Sequence, residues 1–117
     1  MKENIIQTKS FQFAIEVVEI YKELVNTKKE FTLSKQLLRS GTSIGANIEE
    51  AIGGQSKKDF IAKLSISYKE ARESLYWIRL LEATDYLDEN KAKKLEEKAN
   101  ELCRILSSIL LSSKRNL

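Results

Sequence analysis

The chain has 117 residues, 42% hydrophobic and 32% charged, a size that fits one domain over residues 1–117 and a balance that excludes a disordered segment. Its formal net charge of +3 permits an acidic partner without requiring one. The absence of any histidine excludes histidine-dependent triads and the Glu-x-x-His motif of di-iron bundles.

With no proline and only four glycines, little interrupts long helices. The first residues, Met1 to Gln7, contain no apolar signal core, and no apolar run is long enough to span a bilayer. Cys103 is the single cysteine, so no internal disulfide forms, and a reducing cytoplasm is the expected location. Cys103 falls on an apolar helix face and reads as a small core residue.

The first helix is expected from Ser10, as N-cap, to about Asn26. Its apolar set includes Phe11, Phe13, Ile15, Val17, Val18, Ile20 and Leu24, and it covers more than half the circumference. A lone small bundle needs a narrower stripe. The excess points to a second buried surface against another subunit, or else to scattered exposed apolar residues such as Ile15 and Val18.

After a connection over residues 27–31, Thr32 is expected to cap a second helix ending at Gly53-Gly54. Leu33, Leu37, Ile44, Ile48 and Ile52 form its stripe, flanked by Leu38. This helix carries the only run of small residues in the chain, within Ser40 to Ala51. Gly41 and Gly45, four apart, share a face. Two glycines cost a helix roughly 1 kcal/mol each relative to alanine, which suggests a tight crossing, the alternative being a break at Gly41.

Ser56 and Asp59 resemble a capping box opening a third helix from Lys57 to about Thr84. Phe60, Leu64, Tyr68, Ala71, Leu75 and Ile78 step along one face. Asp88 caps a fourth helix, whose face is Ala92, Leu95, Ala99, Leu102, Leu106 and Ile109, with Cys103, Leu110 and Leu111 beside them; residues 112–117 are expected to fray. Short links between successive helices predict an all-α, antiparallel up-down-up-down four-helix bundle.

No phosphate loop occurs, since Gly53 to Lys58 lacks the spacing of that motif. Carboxylates alone (Glu49, Glu50, Glu70, Glu73) could hold a hard metal, but ordinary salt bridging is the simpler reading, so neither an enzyme nor a metal or other cofactor is expected. Lysines cluster at Lys57, Lys58 and Lys63, and again at Lys91, Lys93, Lys94 and Lys98. Both clusters, and the pair Lys114 and Arg115, are candidates for nucleic-acid phosphate contact, against the plainer reading of a charged surface.

The segment Leu33 to Ala51, LSKQLLRSGTSIGANIEEA, together with SKKDF (56–60) and KEARESLYWIRLL (69–81), resembles the four-helix-bundle proteins encoded in 23S ribosomal RNA intervening sequences. The likeness extends over roughly residues 9–111; Gly45 stands where many relatives have proline, and Ala51 where many have glycine. The resemblance implies a homopentamer. It also implies kinship with the accessory variability proteins of diversity-generating retroelements, which bind nucleic acid and a reverse transcriptase. Matching motif positions are Arg39, Ser43, Asn47, Glu50, Asp59, Phe60, Glu70, Glu73 and Trp77. Of these, Arg39, Asn47, Glu50, Glu70 and Glu73 are expected to form a polar network between the second and third helices. The functional expectation is a non-enzymatic oligomer binding RNA, DNA or a ribonucleoprotein; the rival is a protein-binding scaffold with no nucleic-acid affinity.

Overall fold

The computed structural model describes the backbone of residues 2–115 and the side chains of residues 5–115. Four helices occupy it, α1 (Lys2–Asn26), α2 (Leu33–Ile52), α3 (Lys57–Ala83) and α4 (Glu89–Arg115), and no strand occurs among the described residues. Each helix packs on its neighbours in sequence, and α1 closes the ring against α4. Residue numbers run in opposite directions across each seam: Gly41 faces Val17 while Gly45 faces Ser10, Arg39 meets Glu73 while Glu50 meets Lys63, Arg79 lies by Glu96 while Tyr68 lies by Leu111, and Lys91 meets Glu23 while Lys98 meets Glu16. The neighbours are therefore antiparallel, in a bundle measuring 47 × 21 × 20 Å.

The core forms where the four apolar stripes meet. Phe13, Val17 and Leu24 of α1, Leu37, Ile44 and Ile48 of α2, Leu64, Ala71 and Ile78 of α3, and Leu95, Leu102 and Leu106 of α4 are all buried. Ile52, expected within the α2 stripe, and Leu111, expected beside that of α4, are exposed instead. Both lie within the last five residues of their helices.

Two helix starts differ from expectation. α1 begins at Lys2, and Ser10 is a buried mid-helix residue whose hydroxyl donates to the Gln7 carbonyl. Its small side chain lets Gly45 approach, so the residue that suggested a cap serves the crossing. At α2, Thr32 makes no side-chain cap. The Glu30 carboxylate accepts from the backbone N–H groups of Thr32, Leu33 and Ser34 at 3.2, 3.0 and 2.7 Å, and the Ser34 hydroxyl donates to the Glu30 carbonyl. The carboxylate thereby satisfies donors that a helix start leaves without partners, and its charge opposes the positive end of the dipole. Burial pushes the Glu30 carboxyl up, but the hydrogen bonds from Ser34, Leu33 and Thr32 outweigh it, and the group lies below its ordinary value.

The other two caps agree with the sequence. Asp59 N–H donates to Ser56 Oγ, and Lys91 N–H donates to Asp88 Oδ1. α4 continues through residues 112–115, where fraying was expected; Asn116 and Leu117 lie outside the described residues.

α2 runs unbroken through Gly41 and Gly45. The polar side chains along it bond back to its own carbonyls: Thr42 Oγ1 to Leu38, Ser43 Oγ to Arg39, and Asn47 Nδ2 to Ser43. Small residues line both of its packed sides. Gly41 and Gly45 lie against α1, while the Ser74 hydroxyl donates to Ser40 Oγ and Ser67 Oγ donates to the Ile44 carbonyl from α3.

Candidate nucleic-acid interface

The helix that crosses most closely also carries the polar residues of interest. Arg39 points from α2 toward α3, where its guanidinium pairs with Glu70 at 3.4 Å and with Glu73. Trp77 Nε1 donates to the same Glu73 oxygen at 2.9 Å. The indole hydrogen bond, opposed by burial and reinforced by Arg39, holds the Glu73 carboxyl below its usual range. The hydrogen bond from Arg39 to Glu73 in turn raises the guanidinium, against a smaller desolvation. Asn47 and Glu50 stand outside this group. Asn47 bonds within its own helix, and Glu50 pairs with Lys63 at 3.0 Å. The five polar residues thus divide into an Arg39–Glu70–Glu73 cluster completed by Trp77, a separate Glu50–Lys63 pair, and Asn47 alone. These contacts tie helix to helix. Among the described residues no three Cys, Asp or Glu side chains converge as a metal site requires.

The seven candidate lysines have differing surroundings. Lys63 is paired with Glu50, Lys91 with Glu23 at 2.6 Å, and Lys98 with Glu16 at 2.5 Å. Lys57 also has an interaction partner. Lys58, Lys93 and Lys94 are exposed and make no ion pair among the described residues, although Lys94 borders an open groove with Glu16, Glu19 and Glu23. The α1–α4 pairs, joined by Lys9–Glu101, form a ladder in which Lys9, Glu16 and Glu23 recur every seven residues along α1. That heptad of charges was readable from the sequence only once α4 was known to lie beside α1.

Cys103 of α4 is buried at the edge of the core. Burial pushes its thiol up, and Arg72 and Arg104 pull against that from nearby. On the outside of α1, Phe11 is 68% and Ile15 46% exposed, and both share a face with half-buried Val18. No helix among the described residues is long and apolar enough to cross a membrane.

An antiparallel four-helix bundle braced by ion pairs across its α1–α4 and α2–α3 seams defines a small all-helical protein. The chain belongs to the 23S rRNA-intervening sequence protein family, whose model matches residues 2–108. Among solved structures it is similar to a Bacteroides thetaiotaomicron protein of unknown function from the S23 ribosomal protein family. The two share 49% identity over 94% of this chain and 98% of that one, with a TM-score of 0.93. No curated protein matches the chain.

Proposed function

We propose that the protein is a non-enzymatic, cytoplasmic, oligomeric helical bundle that binds RNA or other nucleic acid, free or within a ribonucleoprotein, through surface cations. One observation carries this reading. The interhelical ion pairs all lie on the α1–α4 and α2–α3 seams, and Lys58, Lys93, Arg72, Arg104 and Arg115 are exposed with no carboxylate partner among the described residues. Unneutralised surface cations are what phosphate contact requires, and their effect falls with salt. A protomer of charge +3 binds weakly by itself; repetition around an assembly raises affinity through effective concentration.

The exposed Phe11 and Ile15 supply the surface for assembly, and the family resemblance makes a homopentamer the favoured form. The kinship with retroelement accessory proteins that the sequence resemblance implies would extend the reading to a ribonucleoprotein that contains a reverse transcriptase. Gel-shift titration of the purified protein with RNA at low salt tests the function. A shift that weakens on adding salt agrees with it, whereas no shift with RNA or DNA leaves the protein-binding scaffold.

A further inference from the structure

The seam between α3 and α4 differs from the two that are cross-braced by ion pairs. An open groove of about 420 Å³ runs along it, lined by Ser65, Tyr68 and Lys69 of α3 and by Ser107, Leu111 and Lys114 of α4 among others, none of them acidic. One helical turn beyond Lys69 and Ser107, outside the groove's own lining, stand Arg72 of α3 and Arg104 of α4. Lys69, Arg72, Arg104 and Lys114 are all exposed, and none makes an ion pair among the described residues.

The nearest acids are engaged elsewhere. Glu70 and Glu73 are held by Arg39 on the α2 side, and Glu101 by Lys9 on the α1 side. Acids return only at the far end of the seam, where Glu82 and Glu96 flank Arg79. Cations on both walls of one groove repel each other, and an anion between them relieves that repulsion. The Tyr68, Ser65 and Ser107 hydroxyls add neutral donors of the kind that position phosphates. From Arg104 to Lys114 is about 15 Å of helix at 1.5 Å per residue, the rise of about four nucleotides of one duplex strand.

We infer that the α3–α4 groove, through Lys69, Arg72, Arg104 and Lys114, is the track for a nucleic-acid phosphodiester backbone. This rests on the nucleic-acid reading above and, Lys114 apart, places its principal contacts outside the cations that the sequence singles out. Four phosphate contacts imply a log–log salt slope of about −3 from this groove on a single strand.

The test compares the full-length parent with a K69Q/R72Q/R104Q/K114Q variant and a K58Q/K93Q/K94Q variant, by fluorescence anisotropy on labelled single-stranded and duplex RNA across a salt series. Circular dichroism and light scattering check that each variant keeps the parent's fold and assembly. The expected result is a loss of about tenfold or more at low salt for the groove variant on either RNA, a salt slope flatter by about 3, and a smaller change for the other variant. If the groove variant keeps the parent's affinity and slope, the groove assignment is overturned while the nucleic-acid reading stands. If the parent binds no RNA, both fail. If the groove variant misfolds, R72Q/R104Q replaces it, with an expected flattening of about 1.4 and an unchanged slope overturning the assignment. Poly-L-glutamate serves as the rival probe. If the groove binds it more tightly than RNA of equal charge, the occupant is an acidic polypeptide and the inference is overturned.

Discussion

Gly41 and Val17 approach so closely across the α1–α2 crossing that a Cβ on Gly41 would lie 2.8 and 2.9 Å from the two Val17 methyl groups and 3.2 Å from Val17 Cβ. Val17 is fully buried and β-branched, so rotation about χ1 offers little escape. A Cβ on Gly45 would find only ordinary contact, 3.4 Å from Ser10 Oγ. Two glycines on one helix face therefore have opposite expectations.

Gly41→Ala is expected to destabilise the fold, because overpacking of about 1–3 kcal/mol exceeds the roughly 1 kcal/mol gained in helix propensity. Gly45→Ala is expected to stabilise it by about 0.4–1 kcal/mol. Urea denaturation of the two variants checks the sign of each. Equal and favourable shifts would mean that Val17 yields.

Much of this was legible in the sequence. The small-residue run announced a close crossing, and the periodicities of α2, α3 and α4 placed nearly all of the core. What was not legible follows from distance along the chain. Ser10 looked like a cap because Ser before an apolar run usually is one, and only the partner Gly45, thirty-five residues away in sequence, explains its burial. Glu30 lacks a capping signature because its side chain reaches forward across a turn. Of the cations along the α3–α4 seam, Lys114 was legible beside Arg115, while Lys69, Arg72 and Arg104 escaped notice because they stand singly on two helices, whereas the lysine clusters are adjacent in sequence. Pairing with Glu16, Glu23 and Glu50 then takes up three of those clustered lysines.

Glu30→Ala is expected to cost about 0.5–2 kcal/mol through loss of the α2 cap. The pH dependence has a definite sign. Because the folded-state pKa of Glu30 is lowered, its contribution is complete above the ordinary value of 4.5 and is lost as pH falls through the lower folded-state value. Denaturation of parent and Glu30→Gln at neutral pH and under acid should show a gap that narrows on acidification; a gap that widens would contradict the assignment of Glu30 as an ionised cap.

Glu73→Ala is expected to cost more than Arg39→Ala. Arg39 is half-exposed, and an exposed pair contributes only about 0–1 kcal/mol. Removing Glu73 also leaves the part-buried Trp77 N–H without its acceptor, a penalty of about 1–3 kcal/mol. Thermal melts order the two, and added salt should lessen the Arg39 effect. A larger loss for Arg39→Ala would mean that the ion pair outweighs the indole hydrogen bond.

Phe11→Glu combined with Ile15→Glu should dissociate the assembly while leaving the helices intact, since both side chains stand exposed on the protomer. Light scattering after size exclusion should give the parent a mass near five times 13.4 kDa and the variant a mass near 13.4 kDa. A parent that already runs as a monomer would remove assembly from the account.

The most direct test of nucleic-acid binding is the parent protein's own salt dependence. Fluorescence anisotropy with RNAs of several unrelated sequences, repeated across a salt series, reads affinity and slope together. The expected result is binding at low salt that varies little with sequence and weakens steeply and linearly on a log–log plot as salt rises. Absence of binding at low salt, or binding indifferent to salt, would contradict it.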